Sequence, residues 1–346
     1  MDDATLISNI EKKEKRAIWI IVALIAAIMV AFVLCLLAGA ARYSVSQIID
    51  VLYGRGTWGA TYVIKEIRIP RELCTLVVGA GLSISGMAMQ AMFRNPMASP
   101  SVLGLSSGAS FGACLALAFG VGSFLGGYPV AFMAFIFCFL TMFLVYGLAT
   151  TRFGTPTTLL LLSGIAVSAL FSGLTSLIQY LVEPDVLQGI VFWTMGSFSR
   201  CLWTQVEMGL PVIIVGIILI SFCSKELNLI SLGEEQAKSL GVNIRRTRSL
   251  LLIGTSLAVG GSVAICGVIG FVGLIIPHVC RALCGPNHKI LIPMCIFTGA
   301  LFMLIMDTLA KSIIAPQELP VGVLTSLLGA PFFIYIMRKR KNEFWG

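Results

Sequence analysis

The sequence predicts an all-α polytopic membrane protein of about ten transmembrane helices. Three observations carry this. Of 346 residues, 58% are hydrophobic and 12% charged. Mean hydropathy is +0.96. The apolar residues also come in runs of about 20, the length of helix that crosses a ~30 Å hydrocarbon core. A soluble domain carries roughly 25% charged and roughly 45–50% apolar residues. The apolar excess here is more than one water-facing core absorbs, so it must meet lipid. A soluble enzyme, a disordered chain and a nucleic-acid-binding module are excluded.

The runs follow in order. A polar tail of mixed charge, 1–16, precedes the first, 17–41, which is too long for the apolar part of a signal peptide. The others are 70–92, 101–121, 128–149, 158–181, 206–223, 249–266, 268–284, 290–309 and 322–338. The seventh and eighth are short and nearly continuous. Their glycines and Pro277 predict broken or tilted helices. The whole chain, 1–346, reads as one membrane domain.

An even number of spans puts both ends on one side. With both ends in the cytoplasm, 17 of the 24 Lys and Arg lie inside and 7 outside. The positive-inside rule therefore predicts cytoplasmic termini, including the C-terminal tail 339–346. The same rule explains the net charge of +8 without any nucleic acid. Five of the seven outside cations fall between Arg42 and Arg71 and need another explanation. Nine of the ten cysteines lie in or beside apolar runs, with only Cys201 in an external loop, so they read as packing residues. Gly79-x-x-Leu82-x-x-x-Gly86 recurs as Gly254-x-x-Leu257-x-x-x-Gly261, in spans of opposite direction. That is the polarity of an inverted repeat of five plus five spans.

Between the spans lie the chemical motifs. The longest cytoplasmic loop, 224–248, holds a short stretch bounded by Gly233 and Gly241. Ala237, Leu240 and Val242 are apolar there, and Glu234, Glu235 and Lys238 polar, as in a short amphipathic helix. Such a helix either lies on lipid headgroups or docks into a groove on a cytosolic partner. Pro96 and Pro100 break the chain between spans two and three. The polar backbone there forms either a tight turn or a gate at a pore mouth.

Gly104-Leu-Ser-Ser-Gly108 matches a nucleophile elbow, but it opens a membrane helix rather than following a strand. The two histidines, His278 and His288, lie far along the chain. Gly104, Gly108 and Gly112 share one helix face and predict close packing instead. No phosphate loop of the G-x-x-x-x-G-K-[ST] kind appears, so ATP would be bound by another chain. Asp307 is the one clear acid within a span and is a candidate for proton coupling. Lys311, four residues on, favours an ion pair on the same helix face.

Taken together, the motifs resemble the permease subunits of ABC importers for iron-siderophores, haem and cobalamin, the FecCD family. The resemblance runs from about Ala38 to Met337. It rests on Arg68-Ile-Pro-Arg71; Ser85-Gly-Met-Ala-Met-Gln90 with Arg94-Asn-Pro-Met-Ala-Ser-Pro100 and Leu103-Gly-Leu-Ser-Ser-Gly-Ala109; Gly270-Phe-Val-Gly-Leu-Ile-Ile-Pro-His-Val-Cys-Arg281; Glu318-Leu-Pro-Val-Gly-Val323; and Gly329-Ala-Pro-Phe332.

The resemblance implies a ten-helix permease in a prokaryotic cell membrane that pairs with a second copy or a paralogue. Two cytosolic ATPase subunits and an external substrate-binding protein complete the importer. The chain itself is expected to hold no cofactor and to catalyse no reaction, with ATP and Mg bound by the ATPase. Gly233, Glu234, Glu235, Ala237, Leu240 and Gly241 match the family's ATPase-coupling helix. Arg68 and Arg71 match external arginines that pair with glutamates of the binding protein. Lys311 stands where the family has a third arginine, keeping the charge but losing the bidentate fork. Asn95, Met97, Thr157 and Thr158 match the cytoplasmic gate. The cargo is a ferric siderophore, haem or cobalamin, or an oxyanion such as molybdate. The rival readings are an ion-gradient transporter, which needs acids or histidines at mid-depth, and a membrane hydrolase, which needs Ser106 beside His278.

Overall fold

The computed structural model describes residues 3–39, 41, 43–121, 128–152 and 155–339. Arg42, Met1, Asp2 and 340–346, parts of the expected external loop and of the two tails, lie outside them. The helices are α1 Asp3–Leu37, α2 Val45–Leu52, α3 Trp58–Tyr62, α4 Ile69–Met92, α5 Leu105–Phe119, α6 Pro129–Ala149, α7 Thr157–Leu181 and α8 Pro184–Thr194. They continue as α9 Trp203–Phe222, α10 Ser224–Leu232, α11 Glu234–Ser239, α12 Ile244–Cys266, α13 Val272–Cys284, α14 His288–Ser312 and α15 Val321–Lys339. Each of the ten expected spans has its helix. Seven segments are long and apolar enough to cross a membrane. Leu105–Phe119, Val272–Cys284 and Val321–Ile336 are shorter.

Two differences at helix ends have plain causes. The tail expected over 1–16 is helical from Asp3, because no glycine or proline interrupts the chain before Gly39. The break expected between the seventh and eighth spans falls at the glycine-bearing stretch 267–271, while Pro277 takes no part in it and sits inside α13. There Gly267 takes φ +74°, and Phe271 takes φ +66°, a value rare for a side chain other than glycine. Non-helical backbone at membrane depth must find partners within the protein. Ser197 N donates to Cys266 O at 2.7 Å, and Gly322 N to Gly196 O at 3.2 Å.

Helix α4 is the hub. Most of its residues, from Pro70 to Met92, are buried, whereas the apolar part of α1 is largely exposed to its surroundings. Small residues permit the close approach. A Cβ at Gly79 would lie 2.3 Å from Gly299 O of α14, and one at Gly86 would lie 1.9 Å from Gly273 O of α13. Without a hydrophobic drive between helices in lipid, such backbone contact supplies the packing. The second member of the echo behaves alike, since Gly254 and Gly261 face Gly216 and Gly209 of α9. Gly108 and Gly112 seat α5 on Thr141, Phe137 and Met133 of α6, so that glycine face serves packing. All ten cysteines are free thiols, and nine of them, Cys201 included, are buried.

Helix α8 was not expected. Its signal is present in the sequence: Glu183 at the N-cap and Pro184 at the first helical position. Ile190 and Trp193 bury its inner face.

Candidate functional site

At the predicted cytoplasmic end, 224–248 folds as two short helices and a return. Asn228 of α10 ties this loop to the body. Its Oδ1 accepts from His288 N at 2.8 Å, and its Nδ2 donates to Asn287 Oδ1 at 3.0 Å. His288 is also 2.9 Å from Asn228 Oδ1 through Nδ1. Gly233, with φ +139°, lets the chain turn from α10 into α11. The end of α11 is a Schellman closure. Gly241 takes φ +86°, its N–H donates to Lys238 O at 2.9 Å, and Val242 N–H donates to Ala237 O at 3.0 Å.

This fold sorts the six expected coupling residues into two groups. Ala237 is fully buried against Ile230, Ile244 and Val242, and so anchors α11 to its own chain. Leu240 is 61% exposed, as is Leu232. Glu235 and Lys238 pair at 2.7 Å in the open, and the bond raises the Lys238 pKa. Ala237 therefore does not face outward, because the helix turns that side to the protein. Glu234 is held by Arg248, a residue that sequence reasoning counted only as an inside charge. Arg248 Nη2 lies 2.6 Å from Glu234 Oε1, and Nη1 donates to the carbonyl of Thr155.

The expected gate residues lie near this end in two places. Asn95 Oδ1 accepts from Met97 N at 2.9 Å, closing a turn after Arg94, whose φ is +49°. Met97 is partly exposed. Thr157 and Thr158 open α7, with Thr158 exposed. The contacts between the two regions fall farther along α7. Val102 and Leu103 press on Gly164, and Gly104 on Ser168. A cavity of about 230 Å³ adjoins this turn, lined by Ser99, Ser101, Ser106, Gly270 and Phe271 among others.

At the opposite end the structure draws the three cations expected to dock the binding protein into the fold. Arg68, Arg71 and Lys311 are all buried. Arg71 grips Asp307 with two bonds, Nε to Oδ2 and Nη2 to Oδ1, each 2.9 Å, and reaches Glu318 at 3.0 Å. Lys311 Nζ lies 2.5 Å from Glu72 Oε1 and 3.5 Å from Asp307 Oδ2. The expected Asp307–Lys311 pair thus exists, as the longer edge of a five-residue network. Arg68 donates to the carbonyls of Leu36 and Ala41, where α1 ends, and lies over the Tyr43 ring at 5.0 Å. A helix C-terminus leaves carbonyls without partners and favours a cation there. The π-helical turn Val63–Arg68 delivers that guanidinium inward. Two of the cations that the positive-inside rule left unexplained, Arg68 and Arg71, thus serve the fold.

The motifs that carried the resemblance also meet one another. Arg281 Nη1 donates to Gln90 Oε1 at 2.8 Å, and Gln90 Nε2 donates to Gly273 O at 3.1 Å. Arg71 meets Glu318, and Gly329 lies against Phe271.

Comparison with known proteins agrees with this arrangement. A family model described as the FecCD transport family matches residues 26–339. The cobalamin import system permease protein of Halobacterium salinarum is 40% identical over 82% of this chain and 75% of its own. The molybdate import system permease protein of Haemophilus influenzae is 40% identical over 88% and 91%. An inward-facing metal-chelate type ABC transporter superposes with a TM-score of 0.83 at 37% identity, over 92% of this chain and 99% of that one. With ten helices in place and its motifs interlocked, the chain belongs to the FecCD transport family and is a multi-pass membrane permease of the ABC importer kind.

Proposed function

We propose that this permease passes a metal chelate, an iron-siderophore, haem or cobalamin, into the cytoplasm. It receives the cargo from an external binding protein and is driven by separate ATPase subunits that hold ATP and Mg. The observation that carries the reading is α11. It is locked to the body by Ala237 and offers Leu240, Glu235 and Lys238 to solvent. A short helix presented in this way fits a groove on a partner. Asn95, Met97, Thr157 and Thr158 ring the inner mouth where two copies meet, with both termini on that side.

Binding-protein docking at the outer face involves Arg68, Arg71 and Lys311 under one condition. Their internal partners must yield, and Glu318, 35% exposed, is the partner of Arg71 that an external carboxylate can replace. The metal-chelate relative in structure and the cobalamin relative in sequence favour a bulky cargo. The molybdate relative, equally identical to this chain, keeps an oxyanion as the second reading. An ion-gradient transporter is disfavoured, because Asp307 is already held by Arg71 and is no free proton carrier.

The test is transport into proteoliposomes holding the permease with its ATPase and binding protein. Cyanocobalamin, a ferric hydroxamate, haem and molybdate are offered separately. ATP-dependent uptake of one of the first three is expected. Uptake by the permease alone, down a proton gradient, would refute the proposal.

A further inference from the structure

Arg248 stands where three segments meet. It projects from the first turns of α12, its side chain 8% exposed. One arm of its guanidinium holds Glu234, the first residue of α11. The other holds the backbone carbonyl of Thr155. Thr155 is followed by Pro156, the N-cap of α7, and then by Thr157 and Thr158. Nearby, Tyr146 of α6 and Ser249 of α12 are 3.4 Å apart through their hydroxyls.

The geometry has mechanical content. A guanidinium is a planar fork with donors at fixed angles, so two acceptors held by its two arms keep a fixed separation. A bond to an ionised acid is among the stronger hydrogen bonds. Proline at 156 fixes its own φ, so a shift of the Thr155 carbonyl passes to the first turn of α7. We propose that Arg248 is a positioning residue that couples the docking helix α11 to the gate end of α7. This rests on the reading of α11 as the ATPase contact and of Thr158 as part of the gate. When α11 is displaced, Glu234 draws Arg248, and Arg248 draws the start of α7. The α7 end of the link is a backbone carbonyl, so no side chain on α7 marks it.

The experiment uses the complete permease–ATPase complex in lipid nanodiscs. Thr158→Cys carries a spin label. The site is exposed, while nine native thiols are buried and Cys284 half-buried, so the label goes to 158. The distance between labels in the two permease copies is measured without nucleotide and with ATP and vanadate. The parent is expected to change distance. Arg248→Met is expected to abolish that change while ATP hydrolysis stays within about twofold of the parent. Arg248→Lys, with a single ammonium in place of the fork, is expected to give a smaller change than the parent.

A full change in Arg248→Met overturns the proposal. So does joint loss of the change and of hydrolysis, since a residue needed only for folding would act in that way. Where Arg248→Met fails to assemble, Arg248→Lys decides, and a change equal to the parent's overturns the proposal. No change in the parent overturns the gate reading, and this proposal with it. Failure of the parent to retain the ATPase overturns the docking reading instead.

Discussion

The two ends of the molecule treat the same kinds of residue in opposite ways. At the predicted outer end, the cations Arg71 and Lys311 are buried and pair with the three acids Asp307, Glu72 and Glu318. At the predicted cytoplasmic end, Glu235 is 87% exposed and Lys238 54%, while the Glu234–Arg248 link is drawn in. The contrast follows from what each end packs against. The outer cations lie on α4 and α14, helices pressed together along Gly79 and Gly299, so their side chains have acids within reach and little water. Helix α11 touches its own chain on one side only. A charged motif residue thus stands open to solvent in one place and serves as an internal clamp in another.

The largest expected effect breaks the outer network. Asp307→Ala leaves Arg71 and Lys311 without a central acid. Removing one partner of a buried pair costs about 3–5 kcal/mol. Thermal unfolding in detergent should show a large drop in melting temperature. A loss below about 1 kcal/mol would mean that the cluster is not the closed network described. The same burial means that Arg71→Glu tests folding as well as docking, so Glu318→Gln is the cleaner probe of the outer face.

Next in size is a pair of substitutions on α11. Ala237→Asp buries a carboxylate in an apolar cluster and should cost about 2–3 kcal/mol. Amide exchange across 224–248 should accelerate. Leu240→Asp should leave exchange unchanged and weaken co-purification of the ATPase. If the two variants behave alike, the division of α11 into an anchoring side and a docking side is wrong.

Arg68→Met comes third. It removes two charge-assisted bonds from the end of α1, worth about 1.5 kcal/mol after solvent exchange. Faster exchange near Leu36 is expected, with the rest of the chain unaffected. An unchanged α1 end would show that Arg68 is not its cap. The smallest effect sharpens the comparison. Lys238→Ala opens a pair that already stands in water, and surface pairs of this sort contribute little. No change in melting temperature is expected, and a measurable fall would place that pair in a packed contact.

The sequence by itself determined the class, the ten spans and the family. Those follow from apolar run length, charge placement and motif order, which are local or additive along the chain. The glycine-bounded helix of the loop 224–248 was legible for the same reason, since Gly233 and Gly241 stop a helix wherever it lies. The identity of Asp307 as a paired acid was half legible. Lys311 at the fourth residue announced one partner, but Arg71 lies 236 positions away in sequence.

Only the tertiary structure decided which way each side chain turns. It made Ala237 an anchor and left Leu240 exposed. It folded Arg68 onto the end of α1 through a π-helical turn, and it left Pro277 inside α13 and the membrane break to 267–271 alone. It also revealed Arg248 as a link, because one of its acceptors is a backbone carbonyl, and every residue type carries the same carbonyl. The physical reason is common to all four. Run length and helix stops are properties of neighbouring residues, whereas burial and pairing depend on which distant segments the close helix crossings bring within a few ångströms.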